Sequence, residues 1–166
     1  STGQGGAIVT DDEAIAHKIR RLKDFGRSAG GNDYHSTIGY NFKFTDLQAV
    51  IGIEQMKKLP GRLVRKKQIW QLFKEKLSST DQIKFFNHDL DYTTPWFIDS
   101  IVENRLSLIS YLKEQGIGTR PMYPPINEQV AYKNPGLHPV SQFVGINGLW
   151  FPSMIQITDD EIAYIV

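Results

Sequence analysis

The chain has 166 residues, enough for one compact domain or for parts of two. Hydrophobic residues at 40%, charged residues at 22% and a net charge of +1 describe an ordinary globular chain, with no electrostatic reason to expect nucleic acid or acidic membrane as a partner. Cysteine is absent, which excludes disulfides, thiolate zinc sites and cysteine nucleophiles, and no apolar run approaches the ~20 residues of a membrane helix.

The N-terminus lacks the basic start and apolar core of a secretion signal, so a cytoplasmic location is expected. Gly3, Gly5 and Gly6 read as a tight turn running into a short buried strand at residues 7–9. A chain that opens inside a turn suggests a missing upstream part. Thr10 and Glu13 form a T-x-x-E capping box, behind which Ile15, Ile19, Leu22 and Phe25 recur at helical spacing up to a stop at Gly26. The polar, glycine-rich residues 27–38 read as a loop.

A second capping pair, Thr45 and Gln48, opens a helix towards Leu59. Its apolar residues Leu47, Val50, Ile51, Ile53 and Met56 spread round more than one face, so burial on several sides is expected. Pro60-Gly61 punctuates it, and a third helix follows with Leu63, Trp70, Phe73 and Leu77 on one stripe. From about residue 78 the texture changes: β-type runs at 83–86 and 96–102, a helix at 106–115 ended by Gly116, and an extended piece at 118–123. The order β-β-α-β predicts a small α+β domain with a mostly antiparallel sheet. Thr158 and Glu161 repeat the capping box before Ile162 and Ile165.

The glycine cluster is not G-x-G-x-x-G and precedes a strand instead of following one, so a dinucleotide or P-loop reading fails and a structural turn remains. The histidines at 17, 35, 88 and 138 show no metal-ligand pattern; His17 reads as solvated, while His35 stands shortly before Gly39-Tyr40-Asn41. Asp11-Asp12 and Asp159-Asp160 fall in helix first turns, where carboxylates offset the dipole. The basic run at 62–67 reads as a solvated helix face. Two segments remain as candidate anion sites. One is residues 39–46, with aromatics, an amide and a cation directly before a helix N-terminus; the other is residues 119–125, with an arginine beside a tyrosine and rigid prolines.

Taken in order, STGQGGAIVTDDEAIAHKIRRLKDFGR, GYNFKFTDLQAVIGIEQMKKL, LKEQGIGTRPMYPP and LWFPSMIQITDDEI resemble the DegT/DnrJ/EryC1/StrS family of PLP-dependent nucleotide-sugar aminotransferases, with the GTRPMYPP segment closest to the GDP-perosamine synthase branch. The resemblance covers essentially the whole chain. It implies the C-terminal part of a fold-type-I aminotransferase: an α/β large-domain end plus linking helices over residues 1–77, and an α+β small domain over residues 78–166. It also implies pyridoxal 5'-phosphate as cofactor and a homodimer with shared active sites. The family's catalytic lysine falls a few residues ahead of Ser1, so no catalytic residue is expected within the chain, which alone should be inactive.

The resemblance assigns Asn41 to the cofactor phosphate of the neighbouring subunit, its neutral amide donating without adding charge. Lys43 is implied at the nucleotide diphosphate, Arg120 and Tyr123 at the sugar or nucleotide, and His35 more loosely at the substrate. The sequence departs from the family at Gln4, where glutamate is usual, and at Asn127, where a histidine commonly follows the Y-P-P segment. The activity implied is transfer of an amino group, commonly from glutamate, to a keto-deoxysugar nucleotide, for a surface polysaccharide or glycoside. Two other readings fit the same residues: a PMP-dependent sugar dehydratase of the same family, and a non-catalytic dimerisation or sugar-binding fragment.

Overall fold

The computed structural model describes residues 2–28, 31–132 and 136–166. Ser1 of the predicted turn, and Ala29 and Gly30 of the predicted loop, lie outside the described residues. The chain divides into two compact units, Ser1–Leu59 and Pro60–Val166.

The first unit contains α1 (Glu13–Lys23) and the start of α2 (Asp46–Lys76). The cap of α1 differs from the expected capping box. Asp12 is the N-cap and its Oδ1 accepts from Ile15 N–H at 3.0 Å, while Thr10 Oγ1 accepts from Asp12 N–H at 3.1 Å. Asp12 sits one residue before the helix and its short carboxylate reaches the open N–H directly, so Thr10 shapes the turn instead. The helix ends as expected near Gly26, whose N–H returns to Arg21 C=O at 2.8 Å with φ at 78°. Residues 7–9 are not a buried strand: Ile8 is 71% and Val9 94% exposed. All the named strands belong to the second unit, and an isolated strand cannot satisfy its own backbone.

The expected start of α2 is present as a reciprocal box: Gln48 N–H donates to Thr45 Oγ1 (3.3 Å) and Thr45 N–H donates to Gln48 Oε1 (3.0 Å). Gln48 Nε2 then donates to Gln4 C=O at 2.9 Å, tying the glycine turn to the helix. The apolar residues of this stretch are exposed in the chain, Leu47 at 75% and Met56 at 64%. The predicted break at Pro60-Gly61 does not occur; α2 runs through Pro60 without interruption. Proline deletes one backbone hydrogen bond, and the turns on either side, with Ile69, Trp70 and Phe73 buried beyond it, propagate the helix across the defect.

The second unit has a four-stranded antiparallel sheet of order β1-β2-β4-β3, formed by β1 (Ile83–Phe85), β2 (Ile98–Val102), β3 (Arg120–Pro121) and β4 (Gly148–Phe151). The helices α3 (Arg105–Glu114), α4 (Pro139–Asn147) and α5 (Asp159–Ile165) complete the unit. The antiparallel sheet matches the sequence expectation, but its central strand β4 and the helix before it were not foreseen. Along β2 burial alternates: Ile98, Ser100 and Val102 face a core that also contains Ile69, Phe73, Leu112, Leu149, Phe151 and Ile162. Ser100 is the one wholly enclosed polar residue among the described residues, and its Oγ donates to Leu149 C=O at 2.8 Å. At the end of the chain α5 carries the expected capping box at Thr158 and Glu161.

The basic run at 62–67 is not a solvated face. Arg65 pairs with Asp159 at 2.8 Å, Lys66 Nζ donates to Trp96 C=O and Ser153 C=O at 2.6 Å each, and Lys67 Nζ donates to Leu90 C=O. Successive cations on α2 thus fasten the loops around the sheet, because their aliphatic stems can lie along the apolar surface while the charged ends reach exposed carbonyls.

Candidate functional site

The predicted site residues fall into two groups, one in each unit. In the first unit the chain crosses back over the end of α1: Tyr40 N–H donates to Leu22 C=O at 2.7 Å, Phe42 N–H to Lys23 C=O at 3.0 Å, and Asn41 bridges Asp24. The crossing is possible because Gly26 and Gly39 meet backbone to backbone. A Cβ on Gly39 would lie 2.0 Å from Gly26 N, and one on Gly26 would lie 1.9 Å from Thr37 O. This juxtaposition brings Asn41, Lys43 and His35 around Asp24 and Phe25.

Lys43 Nζ is 2.6 Å from Asp24 Oδ1 and 4.9 Å from the Phe25 ring centre, while Arg27 approaches the same carboxylate at 3.5 Å and the same ring at 5.2 Å. Two cations therefore share one carboxylate and one aromatic ring. His35 Nδ1 donates to Phe25 C=O at 2.8 Å, leaving Nε2 as the ring atom available outward. The Asn41 carboxamide is exposed and has no hydrogen-bond partner among the described residues. An exposed amide donor close in sequence to an ammonium is a donor set that fits a phosphate oxygen.

The hydrogen bond from Lys43, followed by the charges of Arg27 and Lys43, holds the Asp24 carboxyl below its ordinary value of 3.8 despite partial desolvation. A carboxylate with a depressed folded value stabilises the fold above its unfolded value, and that contribution is lost as pH falls through the folded one. Acid below about pH 4 should therefore loosen this crossing. Asp24→Asn should remove that acid limb in a circular-dichroism titration; an unchanged limb would place the acid sensitivity elsewhere.

In the second unit Arg120 and Tyr123 come together as expected. The Arg120 guanidinium lies 5.1 Å from the Tyr123 ring and 5.7 Å from the Trp150 ring. Tyr123 is edge-on to Trp150 at 5.0 Å, and Phe97 stacks on Trp150 at 4.4 Å. The Arg120 guanidinium makes no ion pair or hydrogen bond among the described residues, so its fork of donors is uncommitted. Beside it lies an open cleft of about 360 Å³, lined by Lys66, Trp96, Phe97, Arg120, Trp150 and Ser153 among others. Burial lowers the Lys66 pKa. Asn127, at the departure from the family, donates to Gly136 C=O at 3.3 Å.

Sequence reasoning missed Asp24, Asp99 and Trp150. Asp24 is anonymous at the end of a basic helix, and only the chain crossing gives it Lys43. Trp150 lies in an all-apolar run, and only strand register sets it between Asp99 and Arg120.

Comparison with known proteins gives a consistent result. A GDP-perosamine synthase of Escherichia coli O157:H7 is 27% identical over 99% of this chain and 46% of its own length. The sugar aminotransferase CalS13 of Micromonospora echinospora superposes with a TM-score of 0.88 at 20% identity, over 99% of this chain and 47% of its own. Helicobacter pylori PseC, an aminotransferase involved in pseudoaminic acid biosynthesis, does so with a TM-score of 0.87 at 18% identity, over 99% and 47%. The chain thus spans about half the length of the curated relatives it matches. No helix among the described residues is long and apolar enough to cross a membrane. With the family profile matching residues 1–166 from end to end, the chain belongs to the DegT/DnrJ/EryC1/StrS aminotransferase family, whose aminotransferases are PLP-dependent.

Proposed function

We propose that these residues are the C-terminal part of an aminotransferase that moves an amino group from glutamate to a keto group on a nucleotide-linked deoxysugar, within a cytoplasmic homodimer. The end-to-end family match carries the reading, and GDP-perosamine synthases among the relatives favour amino transfer over dehydration. PLP, when bound, stores the amino group and delocalises charge as protons move. Around it this chain's residues bind and orient. The Asn41 carboxamide donates to the cofactor phosphate of the neighbouring subunit. Lys43, steadied by Asp24, adds positive charge for the nucleotide diphosphate. Arg120 offers its open fork to the nucleotide sugar, Tyr123 and Trp150 fix the plane of that fork, and His35 presents Nε2 to the substrate side.

The test uses the full-length protein with PLP, glutamate and a panel of keto-deoxysugar nucleotides. Release of 2-oxoglutarate beyond one equivalent per active site is expected only when a keto-sugar is present; no such turnover with any member of the panel would reject the reading. In the same protein Asn41→Ala should weaken PLP binding about tenfold, the worth of one hydrogen bond to a charged group. A cofactor titration followed by absorbance measures it, and unchanged affinity would remove Asn41 from the phosphate.

A further inference from the structure

Three side chains stand in one row across the sheet of the second unit. Trp150 on the central strand β4 is opposite Asp99 on β2 and opposite Arg120 on β3. Directly opposed residues of antiparallel strands project on the same face, so a carboxylate, an indole and a guanidinium follow one another across three strands. The face is the one turned away from Ile98, Ser100 and Val102, whose side chains enter the core.

The contacts along this row are specific. Trp150 Nε1–H donates to Asp99 Oδ1 at 2.6 Å, and Asp99 Oδ2 lies 3.4 Å from His88 Nε2. His88 in turn stands edge-on to Trp70 at 5.5 Å, so the carboxylate is braced from behind. Trp150 is only 8% exposed, enclosed by Phe97 on one face and by the Tyr123 edge. An indole has a single hydrogen-bond donor, and once that donor is fixed the ring cannot rotate in its slot without taking the N–H away from Asp99 Oδ1. Arg120, by contrast, has no partner of its own among the described residues beyond the two rings. Its position is therefore set by these two rings, of which Trp150 is the one that Asp99 holds.

We propose that Asp99 is a positioning residue for Arg120, acting through the Trp150 indole to hold the guanidinium ready for a phosphate or nucleotide ligand. The inference rests on the reading of Arg120 as a ligand contact given above. Asp99 touches no ligand itself; it restricts the rotation of the platform on which Arg120 lies, so the guanidinium is ordered before the ligand arrives.

The experiment measures GDP, UDP and dTDP binding to the full-length protein by calorimetry, using whichever binds best. Asp99→Ala should weaken binding about tenfold, and Asp99→Asn, which keeps an oxygen for the indole N–H, should stay within about threefold of the unmodified protein. In an Arg120→Ala background Asp99→Ala should have no further effect, because the group it positions is gone. Trp150→Phe, which removes the donor from the other side of the same bond together with one ring of the platform, should weaken binding at least as much if Asp99→Ala fails to fold. Binding unchanged by both Asp99→Ala and Trp150→Phe, while Arg120→Ala weakens it, would overturn the positioning role alone; so would additive losses or failure of Asp99→Asn to rescue. Binding unaffected by Arg120→Ala, or absent for all three diphosphates, would overturn the ligand role of Arg120 and the positioning role with it.

Discussion

Gly39→Ala is expected to open the crossing behind α1 and cost about 4 kcal/mol or more, at the exceptional end of single-substitution effects. The added Cβ would meet three backbone atoms, Gly26 N at 2.0 Å, Phe25 C at 2.5 Å and Gly26 Cα at 2.7 Å. No rotamer change relieves contact with main chain, so the segment carrying Tyr40, Asn41 and Phe42 must lift off Leu22 and Lys23. Gly26 cannot retreat easily, since its own φ is 78°, Phe25 before it is held at 57°, and Thr37 O fills the space on its side. Asn41 and Lys43 would lose their places, so cofactor affinity should fall along with stability. Limited proteolysis of the loop after α1, paired with PLP titration of the full-length protein, reads both effects. Gly61→Ala is the control: its Cβ meets open space within a helix, so it should be neutral or stabilising by up to about 1 kcal/mol. Gly39→Ala behaving like Gly61→Ala would show that the two glycines do not meet.

Phe73→Ala should cost about 3–5 kcal/mol, the usual range for deleting a fully buried aromatic ring. Phe73 is 0% exposed and its ring lies 5.6 Å from Phe151, which in turn packs 6.4 Å from Phe85. One ring on α2 therefore reaches both the central strand β4 and, through it, the edge strand β1. With domain stabilities of about 5–15 kcal/mol, the loss is a large part of what holds the second unit together. Denaturant unfolding followed by fluorescence measures it, with Phe86→Ala, at a site 38% exposed, as the mild comparison. A loss below about 1 kcal/mol at Phe73 would mean that the ring is not in the core.

The parts of the fold legible in the sequence were those set by local chemistry. Thr45 with Gln48 and Thr158 with Glu161 form reciprocal caps whatever the tertiary context, and Gly26 and Gly116 mark helix ends at positive φ. What escaped depends on partners distant in sequence. Gly148 to Phe151 are buried without interruption, so β4 shows no alternation to distinguish it from any short apolar run. Residues 7–9 have the composition of a strand, but composition supplies no neighbour to pair with. Pro60 reads as a breaker because its penalty is local, whereas the packing of Ile69, Trp70 and Phe73 that sustains the helix is not. The candidate site divides the same way. Asn41, Lys43, Arg120 and Tyr123 stand in ordered motifs, while Asp24 and Asp99 acquire meaning only from a chain crossing and from strand register.

The two units also hold their polar contacts by different physics. The crossing in the first depends on full charges, Lys43 and Arg27 against Asp24, and such half-buried pairs weaken, though less than fully exposed ones, as salt shortens the reach of the field. The cations fastening the loops of the second end mainly on neutral oxygens: Lys66 on Trp96 and Ser153 carbonyls, Lys67 on that of Leu90. A charge held against a carbonyl dipole at contact distance has no partner to titrate away and leaves little room for mobile ions to intervene. The loops bordering the Arg120 cleft would thus keep their arrangement in brine and in acid, conditions under which the Asn41 crossing relaxes.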